Sequence, residues 1–223
     1  MKLFEKIMYP LLVLLILFYT YHARNNAYYF ESELAVEGGP LQWLIICTLF
    51  FASIMCFYRA SILKPFRGSL FSGCLVLAGF IFLGFGMDEM SWGQIIFKFE
   101  TPTFIADRNS MREMNIRHLV IAGFEITDII FTLGIKILAT LYFIVLPFFY
   151  SRLSQIKNFV NRFAIPLPRY TQTGAYAITA IMMSFIPSDL RYIVFELVFY
   201  WILVLMMYNP LNEEVFCRKS LIR

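Results

Sequence analysis

Charged residues make up only 15% of the 223 positions, and histidine is limited to His22 and His118. Two histidines exclude a three-histidine zinc centre, and the chain has no HExxH helix. The four cysteines, Cys47, Cys56, Cys74 and Cys217, form no CxxC pair and no framework spacing for zinc or disulfides, so they read as small hydrophobes. Ser91, Ser184 and Ser188 lack a GxSxG setting, which argues against a nucleophile elbow. There is no glycine-rich phosphate loop, so ATP-driven chemistry is not expected, and the cofactor and metal content stay open. Internal repeats, low-complexity tracts and a separate soluble domain are also lacking.

Apolar residues fill the space. Hydrophobic types reach 60% and aromatics 18%, with a mean hydropathy of +0.68. They fall in runs of about 15 to 22 residues, long enough to cross or nearly cross a hydrocarbon core of about 30 Å as helices. In lipid the backbone must satisfy its own hydrogen bonds, and these runs lack the alternation of barrel strands. The fold class expected is therefore all-α: a polytopic membrane helix bundle of about six transmembrane helices, one integral-membrane domain over 1–223, with a re-entrant or interfacial polar segment between helices 3 and 4.

The expected spans are 7–21, 41–58, 69–87, 115–150, 173–187 and 192–208. The first follows Lys2 and Lys6 like a signal peptide, but no small-x-small cleavage site follows it, so an uncleaved anchor is expected. Gly38-Gly39-Pro40 marks the break before the second. Gly73, Gly79, Gly84 and Gly86 in the third are expected to allow close helix contacts. Under this model 12 Lys and Arg lie on the side of both termini and six on the other, with Lys136 inside a span. The positive-inside rule then puts both termini in the cytoplasm and the polar segment outside. The net charge of +4 is thus a matter of orientation, and no nucleic-acid partner is implied. The lipid bilayer is the partner expected.

The polar stretch at 86–118 is where function is expected, with 88–118 facing outward. Asp88 and Glu89 are adjacent carboxylates at a span end, close to Ser91, Trp92 and Gln94, and such groups at membrane depth pair, hold a proton or take a ligand. Trp92 by itself reads as a headgroup-level anchor. Glu113 and Arg117 are four apart and suit a helix-face pair, while Arg108 and Arg112 suit the phosphate or carboxylate of a lipid headgroup. Asp88, Glu89, Glu113 and His118 together would offer oxygen and nitrogen donors to a divalent ion. His118, Glu125, Asp128, Thr132 and Lys136 are spaced to share one face of a fourth helix starting near Asn115, and Glu196 is expected to enter from the same membrane side.

Residues 88–118 resemble a group of bacterial multi-spanning inner-membrane proteins that share the pattern E-E-[IL]-S-W-G-Q, then F-x-F-x-T-P, then N-x-Q-x-E-x-N-L-H-N. The matching positions are Glu89, Ser91, Trp92, Gly93, Gln94, Phe97, Phe99, Thr101, Pro102, Asn109, Glu113 and Asn115. Asp88 stands for the first glutamate, and Arg117 and His118 stand at the group's histidine and asparagine places. The resemblance implies a bacterial inner (plasma) membrane location and marks the site, but it transfers no activity.

Three functions follow as expectations. The first is a protein of unassigned activity that binds a polar ligand, a lipid headgroup or a membrane protein partner at an outward-facing, carboxylate-rich site. Its ligand-binding set is Asp88, Glu89, Ser91, Trp92, Gln94, Arg112, Glu113, Asn115, Arg117, Glu125, Asp128, Lys136 and Glu196. The second is an intramembrane enzyme acting on a lipid-linked envelope substrate, with Glu89, Glu113 and His118 as catalytic candidates and Arg112 or Arg117 holding the headgroup. The third is an ion or proton pathway along His118, Glu125, Asp128, Lys136 and Glu196.

Overall fold

The structure is a computed structural model that describes residues 2–126 and 134–217. Asp128 and Thr132 lie outside the described residues, as does the side chain of Lys136. The chain is helical apart from its polar cap. Helix α1 is Leu3–Asn25, and after the π turn Phe30–Leu34 comes α2, Pro40–Glu89. A cap with short helices at Gln94–Phe97 and Thr103–Ala106 leads to the strands β1, Val120–Ile121, and β2, Phe124–Glu125. Helix α3 (135–152) contains a π turn at Leu141–Val145, and α4 is Ser154–Arg162. Then come α5, Tyr170–Met182, α6, Arg191–Tyr208, and the short α7, Glu213–Phe216.

Among the described residues, three helices (α1, α2 and α6) are long and apolar enough to cross a membrane, or four if the bent pair of α3 and α4 counts as one span. The 50 residues of α2 would extend about 75 Å if straight, more than twice the hydrocarbon thickness. Gly68 prevents that. Its φ of +80° lies in the region that glycine adopts without strain, and it reverses the chain into an antiparallel hairpin. The two arms meet along their length: Ser53 Oγ donates to the Gly79 carbonyl at 2.8 Å, and the Phe57 and Phe80 rings pack edge to face. A Cβ on Gly79 would sit 2.7 Å from the Phe57 ring, and one on Gly86 would sit 2.6 Å from Phe50. These two glycines let the arms approach; Gly73 and Gly84 have open space where a Cβ would stand.

Helix α6 is apolar on every face beyond Glu196 and runs through the core, with Val194, Leu197, Ile202, Val204 and Leu205 fully buried. Around it gather Leu12 and Ile16 of α1 and Leu41, Ile45 and Leu49 of α2, while Phe143 of α3 and Tyr176 of α5 pack with its own Phe195 and Phe199. At one end the termini close the bundle. Buried Glu5 accepts from Asn209 Nδ2 at 2.8 Å and Gln172 Nε2 at 3.3 Å, and Lys2 reaches Glu213 at 2.5 Å. The polar cap covers the other end.

Candidate functional site

A loop without regular structure leaves its amides unpaired, and buried amides must find acceptors. In the cap, side chains supply them. Asp88, at the end of α2, accepts from the Ile116 amide at 2.6 Å and the Arg117 amide at 3.3 Å. Gln94 Oε1 takes the Met114 amide at 2.9 Å, while its Nε2 reaches Thr101 Oγ1 at 2.8 Å. Asn109 is the most connected of these. Its Oδ1 accepts from Met111 and Glu113, and its Nδ2 donates to the carbonyl and side chain of Asn115. Asn115 Oδ1 also accepts from the His118 amide at 3.2 Å.

This wrapping turns the polar chain inward and brings three ionic groups together. In the first, the Arg117 guanidinium bridges two carboxylates. It ion-pairs with Glu89 and meets Glu196 of α6 at 3.1 Å. Burial alone would lower the pKa of Arg117, but the negative charges of Glu196 and Glu89 outweigh that and raise it, so the guanidinium stays charged. In the second, Ser91 Oγ and Asn115 Nδ2 donate to Glu113 Oε2 at 2.5 and 2.9 Å. In the third, His118 lies between Glu125 at 3.5 Å and Glu37 at 3.8 Å.

Several expectations need correction. Residues 115–126 are not the first turns of a fourth helix: Val120–Ile121 pairs antiparallel with Phe124–Glu125 around Ala122-Gly123. Both turn residues have positive φ, 53° and 85°, as a two-residue I′ turn requires, and the β-branched and aromatic flanks suit strands. The proposed helical stripe is therefore broken, although the hairpin still brings Glu125 to His118. Glu113 and Arg117 do not pair along a helix either, because the extended cap sends them to different partners. Glu89, Glu113 and His118 enter three different groups, the last two linked through Glu37. Among the described residues no three His, Cys, Asp or Glu side chains form a metal-holding cluster. Arg108 and Arg112 are exposed and do not line the cavity described next, and Trp92 is likewise exposed.

A cavity of about 290 Å³ opens among these groups, lined by Glu31, Glu37, Gln42, Glu89, Asn115, Arg117, His118 and Tyr192, with Val36, Leu190 and Ile193 as its apolar wall. Gln42 is a strut: its Nε2 donates to the Glu89 carbonyl at 2.7 Å and its Oε1 accepts from the Gly38 amide at 2.5 Å. Glu37 is absent from the ligand set read from sequence. Its carboxyl is 40% exposed at the cavity mouth, yet its pKa is pushed up to about 7, first by partial loss of water and then by a hydrogen bond to Glu113 and by the charges of Glu113 and Glu89. Two carboxyls that touch cannot both ionise freely, so this pair holds a proton near neutrality. The signal for Glu37 was its place just before Gly38-Gly39-Pro40, a turn that delivers a side chain to the end of α2. Tyr192 and Glu31 carried no comparable local signal. No family model, curated protein or solved structure matches the chain.

Proposed function

We propose that this chain is a multi-spanning membrane protein that binds a polar ligand rich in hydrogen-bond donors, an amine- or hydroxyl-bearing solute or headgroup, in the carboxylate-lined cavity. One observation supports this above the others. The cavity's arginine is matched by two carboxylates, Glu89 and Glu196, and His118 lies between Glu37 and Glu125, so acceptor oxygen is the larger offer to a ligand: the carboxyl of Glu37 and that of Glu31, one oxygen of which also accepts from Ser188. An anion meets only a neutralised guanidinium there, whereas an ammonium or hydroxyl group finds acceptors. The same reasoning moves ligand recognition away from Arg108 and Arg112.

In this reading the chain crosses the membrane six times: α1, each arm of α2, α3, α5 and α6. Both termini lie in the cytoplasm of a bacterium, the cavity faces out, and the cap folds back over it. The excess of Lys and Arg on the side of the termini supports the orientation. The resemblance of 88–118 to the bacterial inner-membrane group supports the location.

Glu37 favours a second reading, an enzyme acting on a lipid-linked substrate. A carboxyl titrating near 7 at a cavity mouth suits general acid–base work, and it replaces Glu89 and Glu113, which are engaged by Arg117 and by Ser91 and Asn115. The ion-pathway reading gains less, since Phe143, Tyr176, Phe195 and Phe199 pack together beside Glu196 and the turn of α6 that follows it.

The test is calorimetric titration of the purified protein in nanodiscs with ethanolamine, putrescine, glucose and inorganic phosphate. Binding of an amine or the sugar, weakened at least tenfold in Glu37→Gln, is the result expected. Preferential binding of phosphate would reject the reading.

A further inference from the structure

The acid-free middle of the chain plays no part in the cavity. From position 129 to 188 there is no Asp or Glu, while Arg152, Lys157, Arg162 and Arg169 fall within it. Arg169 is matched by Glu213 at 2.8 Å. The other three have no carboxylate within ion-pair distance among the described residues.

All three belong to one corner. At Leu153 the chain leaves α3 and turns by 119° into α4. The corner is fixed: Tyr150 Oη donates to Asn161 Oδ1 at 3.1 Å, and Asn212 Nδ2 donates to the same oxygen at 3.3 Å. These bonds place α4 at the end of the bundle where Lys2 meets Glu213. If α3 crosses the bilayer, α4 leaves it at a steep angle and runs along the surface.

The residues of α4 divide as an interfacial helix requires. Ile156, Phe159, Val160 and Phe163 share one side, and Ser154, Lys157, Asn158, Asn161 and Arg162 share the other. Val160 is fully buried against the protein, but Phe159 and Phe163 are exposed and packed against each other at a tilt, with ring centroids 4.6 Å apart. Protein covers one edge of the apolar side and leaves a bare aromatic pair on the other. Lys157 and Arg162, both exposed, flank the polar side.

We propose that α4 docks on the bilayer surface at the end of the bundle holding the termini, with Phe159 and Phe163 in the acyl boundary and Lys157, Arg162 and Arg152 engaging anionic phospholipid headgroups. The charges are unmatched by any carboxylate among the described residues, and an anionic leaflet matches them; the aromatic pair beside them suits a membrane interface, where rings partition at headgroup level. An acidic protein would answer the charges but gives no reason for two bare phenylalanines on a helix turned off a membrane span. Arg152 is already drawn over the Phe148 ring at 4.0 Å, which holds its guanidinium at the corner.

The test uses the full chain with Phe159→Trp in phosphatidylcholine nanodiscs that contain equal fractions of brominated phosphatidylglycerol or brominated phosphatidylcholine. Fluorescence of the parent, with its three native tryptophans, is subtracted. The proposal expects the new tryptophan to be quenched by both lipids and several-fold more by the anionic one. Adding Lys157→Gln and Arg162→Gln should abolish that several-fold preference, as loss of two surface charges implies, while Lys157→Arg with Arg162→Lys keeps it. Arg108→Gln with Arg112→Gln, at the other end, should leave it unchanged. Equal quenching by the two lipids, or a preference that survives the double glutamine variant, overturns the proposal. A tryptophan quenched by neither lipid also overturns it, and leaves α4 as a surface for an acidic protein.

Discussion

Arg117 and Glu196 are 79 positions apart in the chain and 3.1 Å apart in the fold, and that bond ties the polar cap to the central helix α6. Glu89 closes the bridge from the end of α2. The Arg117 side chain is only 11% exposed, so water does little to screen its two ion pairs.

Removing Arg117 should therefore be costly. Arg117→Met leaves Glu89 and Glu196 buried without a cation, a loss of about 3–5 kcal/mol for a buried pair broken from one side. Adding Glu89→Gln and Glu196→Gln should recover much of it, because neutral amides tolerate burial better than lone charges. Thermal unfolding in detergent reads both. A single variant as stable as the parent would mean that the bridge carries no energy.

Asn109 should govern the order of the cap. Asn109→Ala removes four hydrogen bonds, two of them buried and two half-buried ones from the Met111 and Glu113 amides, at a total cost of about 1–3 kcal/mol. Limited proteolysis should then cut within 108–118 much faster than in the parent, while cleavage at the α2 turn near Gly68 stays the same. Equal cutting at both places would show that the cap folds without this residue.

Gly79 and Gly86 should respond differently from Gly73 and Gly84. Gly79→Val or Gly86→Val drives new atoms into Phe57 or Phe50, and overpacking of this kind costs about 1–3 kcal/mol. Gly73→Ala and Gly84→Ala meet open space and should be neutral or slightly stabilising, as expected for a helical glycine replaced by alanine. The ranking of melting temperatures checks this, and a reversed order would contradict the hairpin.

Glu37 makes stability depend on pH with a definite sign. Its folded pKa, about 7, lies above the ordinary carboxylate value of 4.5, so between these values the folded chain holds a proton that the unfolded chain has lost. Its contribution therefore declines as pH rises from about 4.5 to about 7. Subtracting the melting profile of Glu37→Gln from that of the parent should reveal a falling step in this window; a rising step would reverse the assignment. An ammonium ligand that needs the charged carboxylate should bind more tightly over the same interval.

How much of this was legible varies residue by residue. The apolar runs and the break at Gly38-Gly39-Pro40 anticipated α1, both arms of α2 and α6 to within a few residues at most ends. The polar stretch pointed to the right end of the bundle and contained Glu89, Asn115, Arg117 and His118. The stripe from His118 to Lys136 was misread because helical spacing over a few polar residues is weak information. Ala122-Gly123 between Val120-Ile121 and Phe124-Glu125 was the better local signal, since two positive φ values close a hairpin. Asn109 was visible as part of a pattern, but its work as an acceptor for distant amides was not.

Composition and the order of apolar and polar residues were enough to set the helical class, the approximate spans and the end at which polar groups collect. The cause is that backbone satisfaction in an apolar surrounding and burial of hydrophobic runs depend on short stretches read one at a time. Which carboxylate meets which cation was decided only when the chain closed. Glu37, Glu89, Arg117, Tyr192 and Glu196 come from four separate segments, and charge interactions depend on distance in space, which linear spacing beyond a helix turn or a hairpin does not constrain.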